Sequence, residues 1–297
     1  MRVLLFLLLL VVGKRYRGKL LYKVETKPED AILKSLFTYP YIISKQITSL
    51  LYSQGSYRTV LKFLKKLTIN EYLLRKPLPS QVLRGSVPYV YWLSAPGRRY
   101  LESLGYDFSG WLFPSEMKLP QSSHLWHALA VNDVLIAGSK LSDGNPDVKL
   151  MDCRHDLYMQ MTMNLAVKPD GWQLFYIKET EKAGVWLELD RGTELEKIWK
   201  AKIEKIVTYV LGGFQDDFGT RAVTVAVVVP SNIMGAAQRV RKLKQWTEHQ
   251  LTKMGKEQEY DLFRFLLLPE TFTADWLYLA PVWLRPFDER EHSLFLM

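Results

Sequence analysis

Three acidic residues in the second half of the chain are the first candidates for chemistry. Asp170 follows a proline, and Glu188 and Asp190 stand two positions apart in the otherwise apolar run 185–190. Side chains two apart in a strand project from the same face, and a buried carboxylate is unfavourable unless it is paired, protonated or bound to a cation. We therefore predict that Asp170, Glu188 and Asp190 converge and bind Mg²⁺ or Mn²⁺, which could position a phosphodiester and generate the attacking hydroxide.

Positive charge near these carboxylates is expected from two places. Arg191 directly follows the acidic strand, and Lys200 and Lys202 lie on the helix predicted after it. His127, on an earlier helix, completes the set of candidate catalytic residues. Each residue also has a structural interpretation: Asp190 could cap the next helix, and a histidine on an apolar helix is more often a core residue than a catalytic one.

The elements that must position these residues alternate between helix and strand. A mostly buried helix is predicted from residues 122–123 onward, followed by a polar stretch over 139–147. The Asp170-Gly171 pair predicts the turn of a hairpin. Continuous apolar strands imply a sheet covered on both faces, so we expect an α/β domain with a central mixed sheet. The remaining predicted elements are strands 185–190, 223–229 and 262–268, helices after 193 and over about 232–251, and a closing aromatic segment, 276–287.

The charge of the chain is divided unevenly. The net charge is +9, and residues 1–120 contain 19 Lys and Arg against 7 Asp and Glu, a balance of +12, which leaves the rest of the chain slightly acidic. A local positive field of this kind suits a polyanion such as DNA or an anionic membrane surface. The division indicates two domains with different tasks.

Residues 25–105 are predicted to form a winged helix-turn-helix. Pro28 is typical of a first helical turn, and Ser44 is predicted to cap a second helix. Two strands, 72–75 and 89–93, follow the third helix as a β wing. Ser94 is expected to cap a short helix that Gly105 closes.

The third predicted helix has the character of a recognition helix. An apolar stripe forms one side of it, and basic and short polar side chains fall off that stripe. A solvated surface helix is the alternative interpretation of any such basic face. The residues expected to contact double-stranded DNA are Ser56, Tyr57, Arg58, Thr59, Lys62, Lys65 and Lys66, with Arg84 near the tip of the wing.

Composition bounds the remaining possibilities. The single cysteine, Cys153, excludes an intramolecular disulfide and CxxC-type sites, and we expect a cytoplasmic protein. The apolar and basic segment 1–24 contains an apolar run over 3–12, which is too short to span a bilayer. The segment is excluded from the predicted fold. We interpret it as a floppy or mis-assigned start. The alternatives are a secretory signal and weak membrane association, which would make the chain membrane-peripheral through residues 3–19. The predicted domains are 25–105 and 122–290, joined by a linker over 106–121.

The order of helix, Pro-Asp, hairpin, acidic strand and helix resembles the core of PD-(D/E)xK nucleases, with Asp190 standing where those enzymes place a lysine. A second resemblance rests on the predicted winged helix together with His127 to Asp133, Val167 to Gly171, Glu188 to Glu194 and the helix 202–209. With these blocks, residues from about 29 to 285 resemble the replication-relaxation family of bacterial plasmids and integrated mobile elements. The resemblance implies a DNA-associated protein linked to plasmid replication and DNA topology, with a restriction-endonuclease-like C-terminal domain.

Two functional hypotheses follow. In the first, the winged helix binds duplex DNA and the α/β domain nicks or cleaves it with a divalent metal. In the second, the protein is a non-catalytic regulator or replication accessory protein with a degenerate nuclease-like fold. Other replication or mobilisation proteins, and a second copy of the chain as a homodimer, are further expected partners.

Overall fold

The structure is a computed structural model that describes residues 27–78, 87–109 and 122–295. The segment 1–24, Arg84 and most of the predicted linker lie outside these residues. The N-terminal region, residues 27–109, contains four helices and three short strands within its described part. They are α1 (Pro28–Thr38), β1 (Ile42–Ile43), α2 (Ser44–Leu51), α3 (Tyr57–Ile69), β2 (Leu73–Pro77), β3 (Tyr89–Leu93) and α4 (Ala95–Ser103).

The α/β region, residues 122–295, is built around one mixed seven-stranded sheet in the order β10-β9-β8-β7-β6-β5-β4. Strands β6, β7 and β8 are parallel, and β4 and β5 add to β6 as antiparallel strands. This confirms the predicted α/β class. The elements are α5 (Ser122–Gly144), β4 (Val148–His155), α6 (Asp156–Thr162), β5 (Gly171–Ile177), β6 (Glu181–Leu189), α7 (Glu196–Leu211), α8 (Phe214–Phe218), β7 (Val223–Pro230), α9 (Ala236–Met254), β8 (Phe263–Leu268), α10 (Ala274–Tyr278), β9 (Trp283–Arg285) and β10 (Asp288–His292).

Both faces of the sheet are covered, as the apolar strands predicted. Alternate residues of β6 show this: Val185 and Leu187 belong to the core on the side of α5, and Trp186 belongs to the core on the side of α7 and α9. Glu188 follows Trp186 by two residues and therefore projects toward α7 and α9. Glu188 thus faces the two helices that are rich in lysine and arginine.

The two regions share one hydrophobic core. Buried residues of α1, α2 and α3 belong to the same cluster as buried residues of α5. Polar contacts reinforce the junction, because Gln46 Nε2 donates to Leu129 O at 2.7 Å and to Asp133 Oδ1 at 2.8 Å. Asn132 Nδ2 donates to Tyr41 O at 2.6 Å. The basic N-terminal region is consequently held against α5, the helix that carries His127.

Several predicted elements of the N-terminal region are present with nearly the predicted bounds. β2 and β3 form an antiparallel pair, and β1 adds a third strand on the other side of β3. The Ser94 hydroxyl accepts a hydrogen bond from Gly97 N at the start of α4. The prediction for Ser44 is wrong: Ser44 is the first residue of α2, and Ile43 precedes it with its N–H bonded to Gln46 Oε1. The classification as a winged helix stays a prediction.

The hairpin predicted at Asp170-Gly171 is wrong. Residues 163–170 form no strand, and β5 begins at Gly171 and turns into β6 through Lys178 and Glu179. Both of these residues have positive φ, 48° and 64°, at the centre of a turn that Thr180 N closes by donating to Ile177 O at 3.2 Å. Such positions usually contain asparagine or glycine. Asp170 therefore stands at the entry of β5, opposite the end of β6.

The bounds of other predicted elements also differ. The polar stretch 139–147 continues α5 as far as Gly144 and leads into β4, an antiparallel strand that pairs with β5. The helix predicted from about 232 begins at Ala236, after Gly235 with φ of 72°. The closing aromatic segment forms α10 and β9.

Candidate functional site

Backbone pairing brings Asp170 beside Glu188. Asp170 N donates to Leu187 O at 2.9 Å, and Leu189 N donates to the Asp170 side chain, at Oδ2, at 2.7 Å. The carboxylate of Asp170 is thus fixed across the end of β6, next to the residue between Leu187 and Leu189. That residue is Glu188.

Glu188 is a buried acid with two partners. Its side chain is 2% exposed, Trp186 Nε1 donates to Oε1 at 2.6 Å, and Lys202 Nζ lies 2.8 Å from Oε2. Burial raises the pKa of Glu188 to about 7, with Lys202 opposing the shift and the charge of Asp170 adding to it. Protonation of Glu188 near neutral pH is therefore accessible, which an exposed glutamate does not offer.

Lys202 reaches the site from α7. Its ammonium also lies 3.2 Å from Glu194 Oε1. Burial disfavours the charged form, but the charges of Glu188, Asp170 and Glu194 outweigh it and raise the pKa of Lys202. A lysine thus reaches the buried acids from the helix after β6, one of the two places from which the sequence predicted positive charge.

His127 contacts the same group from α5. Its Nε2 lies 3.2 Å from Asp170 Oδ1, and the His127 and Asp170 side chains are 27% and 22% exposed. Burial opposes the charged imidazole, but the hydrogen bond and charge of Asp170 leave the pKa of His127 raised. Burial likewise opposes the Asp170 carboxylate, and bonding to His127 leaves the pKa of Asp170 lowered. His127, Asp170, Glu188 and Lys202 are called the buried charge cluster below.

Asp190 is not part of that cluster. Its carboxylate pairs with Arg239 on α9, with Nε to Oδ2 at 2.6 Å and Nη2 to Oδ1 at 3.0 Å. Arg239 Nη2 also donates to Glu194 O at 2.6 Å. The structure therefore brings Asp170 and Glu188 together and turns Asp190 to a bidentate partner.

Arg191 is also directed away from the cluster. Its guanidinium donates to Ser123 O at 3.3 Å, at the start of α5. The local sequence gave no sign of the Asp190–Arg239 pair, because Arg239 lies 49 residues further along the chain. The sequence signal that could have indicated this pair was the dense run of basic residues in the helix predicted over about 232–251, which is α9.

Two of the three predicted metal ligands, Asp170 and Glu188, lie together, and Asp190 lies apart from them. Within 27–78, 87–109 and 122–295, no group of three histidine, cysteine, aspartate or glutamate side chains is arranged to hold a metal ion. Asp170 and Glu188 nevertheless lie close enough for the charge of one to raise the pKa of the other. Magnesium is often bound through one or two carboxylates, with waters and substrate phosphates as the remaining ligands. Trp186 and Lys202 contact the two Glu188 oxygens, and His127 and Leu189 N contact those of Asp170, so a cation would have to displace these donors. Metal binding by Asp170 and Glu188 stays a prediction.

The predicted DNA-contacting face of α3 is exposed. Val60, Leu64 and Leu67 are buried and fix the orientation of the helix. Two residues near its N-terminus are partly tied to other elements, since Tyr57 shares a hydrogen bond with Ser44 at 3.1 Å and Ser56 is half-buried. The exposed residues of the predicted set are Tyr57, Arg58, Thr59, Lys62, Lys65 and Lys66. We call Arg58, Thr59, Lys62, Lys65 and Lys66 the basic face of α3.

One member of this face is already paired. Lys66 Nζ lies 2.7 Å from Glu29 Oε1 on α1. No ion pair involving Arg58, Lys62 or Lys65 forms among the side chains that the structure describes. The charge of the basic face toward solvent therefore comes mainly from those three residues.

The strand pair adds two basic residues that were not predicted to contact DNA. Arg75 and Lys76 on β2 are exposed, and the Arg75 guanidinium lies 4.5 Å from the centre of the Tyr89 ring on β3. Stacking on an aromatic ring orients a guanidinium without neutralising it. An alternation of basic and aromatic residues across the two strands was the signal that could have identified them.

In the described residues, no helix has the length and apolar character needed to cross a bilayer. Comparison with curated proteins and with solved structures finds no match. A family model described as replication-relaxation matches residues 33–224, more than half of the chain. The chain therefore belongs to the replication-relaxation family, which indicates a role in the replication or relaxation of plasmid or mobile-element DNA. The match includes α3 and the buried charge cluster and ends before α9.

Proposed function

We propose that this replication-relaxation protein binds duplex DNA through the basic face of α3, with the β2–β3 strand pair contacting the backbone beside it. The observation that carries the proposal is the exposure of Arg58, Lys62 and Lys65 on one side of a helix whose other side is buried. Long cationic side chains with free rotation are suited to phosphate contacts, which set affinity and register.

The surroundings of α3 support a protein–DNA interface over a solvated helix. A solvated basic helix usually interleaves acidic residues, whereas α3 contains none over Tyr57–Ile69. Thr59, exposed between Arg58 and Lys62, offers a short hydroxyl of the kind that approaches base edges or phosphates. Arg75, held over Tyr89, extends the positive surface onto the strands.

The test is duplex binding by matched variants. Fluorescence anisotropy with a labelled duplex of about 30 base pairs should show binding by the unmodified protein, and Arg58→Gln with Lys62→Gln should weaken it about tenfold, since two phosphate contacts are lost. Lys149→Gln with Lys178→Gln removes the same charge from exposed positions on β4 and in the β5–β6 turn. Equal weakening by the two pairs of substitutions would contradict the proposal.

A second candidate function, DNA nicking or cleavage, is favoured by the position of Lys202 next to Glu188. In this function Asp170 and Glu188 would bind Mg²⁺ or Mn²⁺ together with a DNA phosphate. The metal, when bound, would act as a Lewis acid and lower the pKa of a water. Lys202 would stabilise negative charge developing at the phosphate, and His127 would hold Asp170 in position.

Supercoiled plasmid separates this candidate from the non-catalytic alternative. Incubation with Mn²⁺ should give relaxed or linear DNA, and Glu188→Gln should abolish the product because it removes one anionic ligand while keeping the size of the side chain. Glu204→Gln, the same substitution at an exposed acid of α7, serves as the control. Unchanged topology with every divalent metal, together with normal duplex binding, would favour the regulator or replication accessory protein.

A further inference from the structure

A second basic surface lies on α9, in the region whose overall sequence is slightly acidic. The helix contains Arg239, Arg241, Lys242, Lys244 and Lys253 against a single acid, Glu248. The exposed long side chains all carry nitrogen donors. They are Gln238, Arg241, Lys242, Gln245, His249 and Lys253, which we call the outer face of α9.

The opposite side of the helix fixes the direction of this face. Val240, Leu243 and Leu251 are buried in the core beneath α9. Thr247, also buried, accepts a hydrogen bond from Trp199 Nε1 of α7 at 3.0 Å. Rotation of α9 would expose these residues, so the outer face is directed to solvent by the packing of the helix.

The outer face lacks the acidic partners that exposed helices usually have. Lysine or arginine with glutamate three or four residues away is the common arrangement, worth a few tenths of a kcal/mol per pair in general. Glu248 is directed elsewhere: it lies 2.8 Å from the buried Lys244 and accepts from Phe287 N. Arg241 and Lys242 form no ion pair with any side chain in the described ranges. Adjacent uncompensated cations are stabilised by a polyanion.

The N-terminal end of α9 is connected to the buried charge cluster. Arg239 in its first turn pairs with Asp190 and donates to Glu194 O, and the Glu194 carboxylate lies 3.2 Å from Lys202. From Gln238 to Lys253 the helix rises roughly 22 Å at about 1.5 Å per residue. A line of nitrogen donors of that length, which includes the cations Arg241, Lys242 and Lys253, therefore begins close to the cluster and leads away from it.

We infer that the outer face of α9 is a second surface for duplex DNA, which contacts the phosphate backbone beside the buried charge cluster. The inference rests on the proposed function and extends it to a helix beyond the family match at residues 33–224. Duplex DNA is favoured over an anionic membrane because the exposed side chains of the outer face include no large apolar group to insert into lipid. Donors spaced along a rigid helix suit a rigid polyanion.

The experiment uses the full chain and two sets of three substitutions. Arg241→Gln, Lys242→Gln and Lys253→Gln remove the charge of the outer face. Lys149→Gln on β4, Lys178→Gln in the β5–β6 turn and Lys182→Gln on β6 remove the same charge from exposed positions. Unfolding curves should change little in both, because every substituted side chain is exposed; in the control, Lys182 Nζ loses one surface hydrogen bond, to Gly219 O at 3.0 Å.

Affinity for an unlabelled 30-base-pair duplex, measured by competition over a range of salt concentrations, should fall at least fivefold for the outer-face variant and less than twofold for its control. The slope of log K against log salt should flatten by about 0.9 for each phosphate contact removed. Equal losses of affinity in the two variants would overturn the inference. So would an equal loss of affinity for poly-glutamate in the outer-face variant, because the surface would then bind any polyanion.

The design separates this inference from the proposed function. If Arg58→Gln with Lys62→Gln weakens binding while the outer-face variant behaves like its control, the inference on α9 fails and binding through α3 stands. If the unmodified protein does not bind duplex DNA at all, the proposed function fails and the inference on α9 fails with it.

Discussion

The basic face of α3 and the buried charge cluster use the same residue types in opposite ways. On α3, Arg58 and Lys62 are exposed and form no ion pair within the described residues, so their charge acts at a distance and is screened by salt. In the cluster, Lys202 and Glu188 lie 2.8 Å apart, with Glu188 almost fully buried. Their charges act on each other, in a medium that strengthens the interaction. Substitutions in the first region should therefore change affinity, and substitutions in the second should change stability.

The largest expected effect is on the Lys202–Glu188 pair. Lys202→Met leaves a buried carboxylate without its cation and should lower the free energy of unfolding by about 3 kcal/mol at pH 8. Because the pKa of Glu188 is about 7, the carboxyl can take up a proton at lower pH, and the loss should be smaller at pH 5.5. Urea unfolding at the two pH values measures the difference.

The control for this variant is Lys202→Met with Glu188→Gln, which removes both charges and should recover most of the stability. A loss that is equal at pH 5.5 and pH 8, or a double variant as unstable as the single one, would show that the pair is not held by charge.

The His127–Asp170 contact should give the next largest effect, with a pH dependence of its own. Because the pKa of His127 is raised in the folded protein, its contribution is fully present below the ordinary histidine value of 6.5 and is lost as pH rises through the raised value. Asp170, whose pKa is lowered, contributes above its ordinary value of 3.8. His127→Gln should therefore reduce stability by about 1 kcal/mol near pH 6 and by less at pH 8.5.

Thermal unfolding of the His127→Gln and unmodified proteins between pH 5.5 and 8.5 provides that measurement. A difference that grows as pH rises would contradict the assignment of the charged imidazole to Asp170.

In the N-terminal region, Arg75 should matter more for DNA affinity than for folding. Arg75→Gln removes an exposed cation that Tyr89 orients, and we expect a loss in duplex affinity of about fivefold, corresponding to about 1 kcal/mol. The unfolding curve should move little. Tyr89→Leu keeps the charge but not the stacking, and its duplex affinity in anisotropy measurements should lie between those of the unmodified protein and Arg75→Gln. An affinity as weak as that of Arg75→Gln would mean that the ring itself binds DNA.

The smallest effect is expected at Lys66. It is exposed and lies 2.7 Å from Glu29, and surface pairs of this kind contribute from about 0 to 1 kcal/mol. Lys66→Gln should change stability within that range and weaken duplex binding less than Lys62→Gln does, because Glu29 already compensates its charge. An equal or greater loss on Lys66→Gln would show that the pair opens when DNA binds.

Local signals in the sequence predicted the elements that depend on local physics. The bounds of α3, the pairing of β2 with β3, the Ser94 cap and the start of α5 follow from apolar periodicity and capping chemistry. The hairpin at Asp170-Gly171 was wrong, because the chain turns instead at Lys178 and Glu179, residues that rarely adopt positive φ.

The site was predictable only in part for a different reason. Residue type and strand periodicity identified Asp170, Glu188 and Lys202, which the structure brings together. The same periodicity put Asp190 with Glu188, and both do face the helices, but Arg239 from a helix 49 residues away pairs with it. Which of two neighbouring carboxylates receives a distant arginine is decided by tertiary packing.

The most direct test of duplex binding through α3 is the salt dependence of affinity for the unmodified protein and for Arg58→Gln with Lys62→Gln. If these side chains neutralise phosphates, log K falls linearly with log salt for the unmodified protein, and the slope for the variant is shallower by about 1 to 2. Identical slopes, or an affinity that does not respond to salt, would contradict a DNA interface on this helix.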